Sequence, residues 1–160
     1  MPSVPDHVSL LEEAFSKKSW HGTNLRGSIR GMTAKEAAWR PGPQRKCVWD
    51  HVLHTAYWKY TVRRRLTGEK RGSFPLKGSN WFDVPRPSSK MAWREHVILL
   101  EHQHAQLRDA VAGLSERQLN ERVSGSKLTK GYLIRGIALH DIYHTGQIQL
   151  LKRMRSEAGV

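Results

Sequence analysis

Two histidines, His140 and His144, stand four residues apart in the run Leu139-His-Asp-Ile-Tyr-His-Thr-Gly-Gln-Ile148. Each residue of an α-helix advances roughly 100° about the axis, so positions i and i+4 share a face one turn apart. Leu133, Ile137, Gln147, Ile148 and Leu151 fall on the same side as His140 and His144. The imidazoles therefore interrupt an apolar stripe that should face a core. One buried histidine is commonly a core side chain with a hydrogen-bond partner. Two at this spacing form half of a metal site. An open metal site takes three protein ligands and leaves a position for water or substrate, so a third donor must come from another element.

Several residues compete for that place. His51 and His54 lie in Trp49-Asp-His-Val-Leu-His-Thr-Ala-Tyr-Trp58. Measured from the apolar stripe of that segment, His54 sits roughly 140° round the axis and His51 roughly 160° the other way. His54 shares a face with Cys47, Tyr57, Trp58 and Thr61, a second and less apolar wall. His104 lies within an apolar stripe and reads as a hydrogen-bonded core histidine. His21 is a candidate to support the ligands from outside. His7, His96 and His102 are scattered and expected to be exposed. Cys47, the only cysteine, permits no intramolecular disulfide and reads as an inert thiol at a helix start, with a thiolate near the metal as the alternative.

The elements that must position these groups are helical. A first segment runs from about Asp6 to Ser19, breaks at Trp20-His21-Gly22, and resumes from about Thr23 to Gly31. Thr33-Ala-Lys-Glu36 is a capping box opening a further short turn, and Arg40-Pro-Gly-Pro43 forces an irregular connection. A second long helix is expected over Val48 to Leu66, a third over Trp93 to Leu114 and a fourth from near Thr129 to Arg155. Residues 67–90 hold three glycines and three prolines and read as a long irregular loop, a lid or a crossover. No repeat is visible and strand signals are nearly absent. The expected fold is all-α, a four-helix bundle with a long irregular connection between its second and third helices, in one domain over residues 1–160.

The formal charge of +13 comes from 27 Lys and Arg against 14 Asp and Glu. Such an excess attracts nucleic acid without sequence specificity. The basic residues are spread along the chain and not interleaved with aromatics, so a solvated basic surface is expected and no specific nucleic-acid site. No stretch approaches the ~18 apolar residues of a membrane span, and Met1 to Lys18 lacks the pattern of a secretory signal. A cytoplasmic protein is the expectation.

The pattern Trp49-Asp50-x-Val-Leu-His54, followed by His140-Asp-x-Tyr-His144-x-Gly-Gln147-Ile, resembles the DinB/YfiT-like family. The Trp20-His-Gly22 break and Ala38-Trp-Arg-Pro41 resemble one branch of it, and the likeness covers nearly the whole chain. The resemblance implies a four-helix bundle with a divalent metal held by one histidine of the second helix and two of the fourth. Carried onto this chain, these are His54, His140 and His144. Better-characterised relatives include transferases and isomerases that use low-molecular-weight thiols, and many members have no known reaction. Relatives often carry His-Ser or His-Asn where this chain has Lys46-Cys47, and usually an apolar residue where His51 stands.

The leading expectation is a divalent-metal-dependent enzyme, a thiol-dependent transferase or a hydrolase. Three neutral imidazoles leave the ion its full charge, able to lower the pKa of bound water toward ~7 or to activate a substrate thiol. Tyr143, Asp141 and Gln147 are the catalytic candidates: Asp141 to orient an imidazole through its ring N–H, Gln147 to bond a water or substrate. Zinc or nickel suits three histidines best, with iron, manganese or copper compatible. The expected partner is a small-molecule substrate such as a low-molecular-weight thiol, with a homodimer as the candidate assembly. The competing reading is a basic binding or structural protein with a stabilising metal site. A fourth protein ligand would favour that reading, and an open position the enzyme.

Overall fold

A computed structural model describes residues 2–160. It contains α1 (Val4–Phe15), α2 (Leu25–Ser28), α3 (Ala34–Ala38), α4 (Val48–Thr67), α5 (Lys90–Ala112), α6 (Glu116–Leu119) and α7 (Lys130–Glu157). The described residues hold no strand, only an antiparallel bridge between Arg122 and Thr129 ahead of α7. Among the described residues no helix is long and apolar enough to cross a membrane.

Local chemistry sets the helix ends. The Ser3 hydroxyl caps α1 by accepting from Asp6 N–H, and Thr33 does the same for α3 through Glu36 N–H. Ser89 and Thr129 cap α5 and α7. Gly68 ends α4 at φ 79°, a left-handed conformation that glycine adopts without a Cβ clash. The helix expected from Thr23 to Gly31 is only the single turn α2. Gly27 lies inside it and Gly31 takes φ 73°, so the backbone cannot propagate. The Asn24 side chain closes the break, accepting from Gly27 N–H at 2.8 Å and donating to the Lys17 carbonyl at 2.8 Å.

The four longest helices pack in a ring, α1 against α5 and α7, and α4 against α5 and α7. Their apolar residues form two clusters. One gathers Trp49, Leu53, Ala56, Trp93, Leu100 and Ile148; the other gathers Leu11, Val62, Leu107, Val111, Ile134 and Ile137. Among the polar side chains packed with them are Glu12, Lys59, His104 and Asp141, one from each long helix. Lys59 Nζ donates to Asp141, both side chains being fully buried. His104 Nε2 lies 3.0 Å from Glu12 Oε1, and its ring stacks on Phe15 at 3.8 Å. Burial, with Lys59 and Arg108 nearby, holds His104 far below the usual imidazole range. It is therefore neutral and donates Nε2–H to the Glu12 carboxylate.

One feature of α4 departs from the amphipathic expectation. From Val48 to Ala56 every residue is buried. The side expected to be less apolar is covered by the crossover between α4 and α5, whose Phe82 and Val84 join the first cluster. Both histidines of α4 are thereby interior.

Candidate metal centre

α4 and α7 bring His54, His140 and His144 together, with one ligand-capable atom from each within 4.8 Å of the others. The Nε2 atoms converge: His54 to His140 at 3.1 Å and His144 to His140 at 3.1 Å. Two nitrogens on one tetrahedral zinc, each at ~2.05 Å, would sit about 3.3 Å apart, so the spacing suits a small divalent cation.

The outward ring nitrogens fix how the rings present themselves. His54 Nδ1 lies 2.9 Å from the Asn80 carbonyl, which can only accept, so the proton sits on Nδ1 and Nε2 faces the cluster bare. The Asn80 side chain accepts from Trp58 Nε1 at 2.9 Å, and Trp81 stacks on the His54 ring at 3.9 Å. Asn80 itself takes φ 64°, a left-handed conformation that asparagine tolerates better than most residues. His144 Nδ1 is 3.0 Å from His51 Nδ1, so His51 backs His144 rather than joining the group. His140 Nδ1 is buried without a partner. In any neutral arrangement one proton at best must serve two of the three facing nitrogens. A cation satisfies all three lone pairs at once, and the residues present fit one.

Burial keeps these rings neutral. Desolvation first, then the neighbouring imidazoles, push His140 down to about 3 and His51 to about 4. His144 falls to about 4, with desolvation again leading, and His54 is lowered mainly by burial. Neutral imidazole is the form that ligates. A stability consequence follows from the same shifts. Below its unfolded value of 6.5 each ring is protonated in the unfolded chain but neutral in the folded one, down to about 4. Stability of the metal-free protein is therefore full above pH 6.5 and falls as pH drops toward 4, by up to about 1.4 kcal/mol per pH unit for each such ring. Urea unfolding at pH 7.5, 6 and 5 measures this, and a flat profile would contradict it.

The other candidates take different places. Tyr143 is 65 % exposed, its ring 5.1 Å from that of His144, and Gln147 Nε2 reaches its hydroxyl at 3.3 Å. Asp141 orients no imidazole: one position on from His140, it is rotated into the interior and bonded to Lys59. Burial raises its carboxyl above the ordinary range, against the pull of Lys59. Cys47 is buried, its thiol pushed up to about 11 by desolvation, and is not part of the three-residue group. His21 is exposed. His7 and His96, expected on the surface, are not exposed: His7 Nδ1 meets the Ser3 carbonyl, and His96 Nδ1 accepts from Trp49 Nε1 at 2.8 Å. His102 is exposed as expected.

The sequence profile of the DinB superfamily matches residues 19–148, a span that includes all three grouped histidines. The chain belongs to the DinB superfamily. No curated protein and no solved structure matches it.

Proposed function

We propose that this chain is a divalent-metal-dependent enzyme in which His54, His140 and His144 hold the ion through Nε2 and leave a position for substrate. The observation that carries this is the convergence of three neutral ring nitrogens with no carboxylate or thiol in the group. Zinc or nickel is the metal proposed for such a donor set. The bound ion supplies Lewis acidity to a thiol or a water. The protein's own part is positional. The Asn80 carbonyl and His51 hold the outward nitrogens, Trp81 shields one face of His54, and Gln147 stands beside His144 to hydrogen-bond a substrate.

Transfer to or from a low-molecular-weight thiol is the reaction class proposed, with hydrolysis the alternative at the same open position. Cobalt-substituted protein separates them. Adding a small thiol should produce a sulfur-to-cobalt charge-transfer band in the near ultraviolet. A spectrum unchanged by saturating thiol would remove the thiol reading and leave hydrolysis.

The assembly proposed is a homodimer along α7. Its outer face exposes Tyr132, Leu139, Tyr143 and Leu150, with Gly136 and Gly146 between them open to solvent where a Cβ would stand. The spacing from 132 to 150 alternates four and three, a coiled-coil seam left without a partner in the chain. An antiparallel pairing about position 141 sets Gly136 opposite Gly146 and Leu139 opposite Tyr143, which lets two backbones approach closely. Light scattering at moderate salt should give twice the chain mass, and Leu139→Glu the monomer mass. A monomeric wild type would contradict this.

A further inference from the structure

Beside the three-histidine group lies a second feature that the proposed chemistry does not use. A cavity of about 860 Å³ opens between the C-terminal half of α4 and the loop that follows it. This is the size range of small-molecule sites. Its apolar wall is aromatic: the Phe74 ring lies 5.3 Å from both Tyr57 and Tyr60. Its polar wall is cationic, with Arg64 and Arg65 from α4 and Arg71 and Lys77 from the loop, and no carboxylate lines it. The nearby acid is already used, since Glu69 takes both its oxygens to Arg63 at 2.6 and 2.8 Å. Arg65, Arg71 and Lys77 are exposed and make no ion pair among the described residues.

The cavity and the histidine group share walls. Asn80, whose carbonyl holds His54, lines the cavity, as does Trp58, whose ring lies 6.3 Å from that of His54 and 6.2 Å from that of His140. Trp58, Thr61 and Arg65 also line a smaller cavity of about 160 Å³ that reaches His140 itself. Thr61 Oγ1 is buried there without a partner. Four like charges line this one cleft, and like charges sharing a cleft raise the local potential above that of a dispersed basic surface. Guanidinium forks match oxyanions in geometry.

We infer that this cleft binds the anionic end of the substrate, a carboxylate or phosphate carried on an aromatic or apolar body, and directs the other end to the three histidines. The inference rests on the functional reading above for its second half only. The anion site itself needs no metal.

The test uses 1-naphthyl phosphate, 1-naphthoate and neutral 1-naphthol as probes, titrated by calorimetry into metal-free full-length protein. At least one anion should bind one per chain, about tenfold or more tighter than naphthol, and weaken with added salt. The relative strength of the two anions tells phosphate from carboxylate. The double variant Arg71→Gln/Lys77→Gln, which alters exposed side chains, should lose about tenfold in anion binding with naphthol unchanged. Equal binding of naphthol, or anion binding indifferent to the variant, overturns the proposal. So does a deoxythymidine oligonucleotide that displaces both probes and loses affinity in the same variant, which would assign the cleft to a nucleic-acid backbone. Cobalt-loaded protein then reads the second half: protons of the bound probe should be broadened by the ion, and sharp resonances in protein that carries cobalt overturn the shared site. Protein that retains no cobalt would fail the metal reading alone, with the anion site still decided by the metal-free titrations.

Discussion

Purified His140→Ala and His144→Ala proteins are expected to retain no stoichiometric metal after gel filtration, whereas the wild type and His102→Ala retain one ion per chain. Each substitution removes one of three converging Nε2 donors, and nothing in the group replaces it. His51→Ala should fall between these limits. Within the group His51 meets the outward nitrogen of His144, and loss of such a support costs roughly 10–100-fold in metal affinity. Elemental analysis gives the stoichiometry and competition with a chelator the affinity. Full metal content in either alanine variant on α7 would sink the site. An unchanged affinity in His51→Ala would show that the 3.0 Å contact between His51 and His144 does not hold the ligand.

Lys59→Met is expected to cost about 3–5 kcal/mol of folding stability, because it leaves a fully buried carboxylate with no partner. Asp141 Oδ1 already lacks a hydrogen bond, so its surroundings offer no substitute donor. The double variant Lys59→Met/Asp141→Leu should recover most or all of that loss, since a well-packed apolar pair replaces a buried ion pair at little net cost. Urea midpoints of the four proteins form the cycle. A loss below about 1 kcal/mol in Lys59→Met would mean that water reaches the pair. The pair also ties the rotation of α7 to α4 one position from His140. The double variant should therefore be stable yet bind metal more weakly than the wild type.

The placement of His140 and His144 was legible from spacing alone, because their four-residue separation coincides with an apolar stripe. The long helices were legible too, α4 to within a residue, since its ends carry Asp50 in the first turn and Gly68 at the C-cap. The choice of His54 over His51 was not. Helical angles compare residues on one helix, whereas the decision came from the crossover, whose Asn80 carbonyl and Trp81 ring seize His54. Nothing local in a loop rich in glycine and proline announces that its backbone will meet an imidazole. His51 behind His144 is likewise a contact between helices distant in sequence. The buried polar layer left a signal that was open to misreading. Lys59 falls between Ala56 and Val62 on the inner side of α4, but a lysine on an apolar stripe does not by itself announce an acidic partner on a helix distant in sequence. Asp141 follows the same logic: adjacency to a ligand suggests a role at the metal, and the rotation of one residue sends it to the core instead.

X-ray absorption on zinc-loaded protein, with and without a bound thiol, shows whether three histidines hold an ion with a position open to exchange. The expected first shell is three imidazole nitrogens plus one light atom, with the light atom replaced by sulfur when thiol is added. A closed shell of four protein ligands, through Cys47, His51 or His104, unchanged by thiol or by added anions, would contradict it.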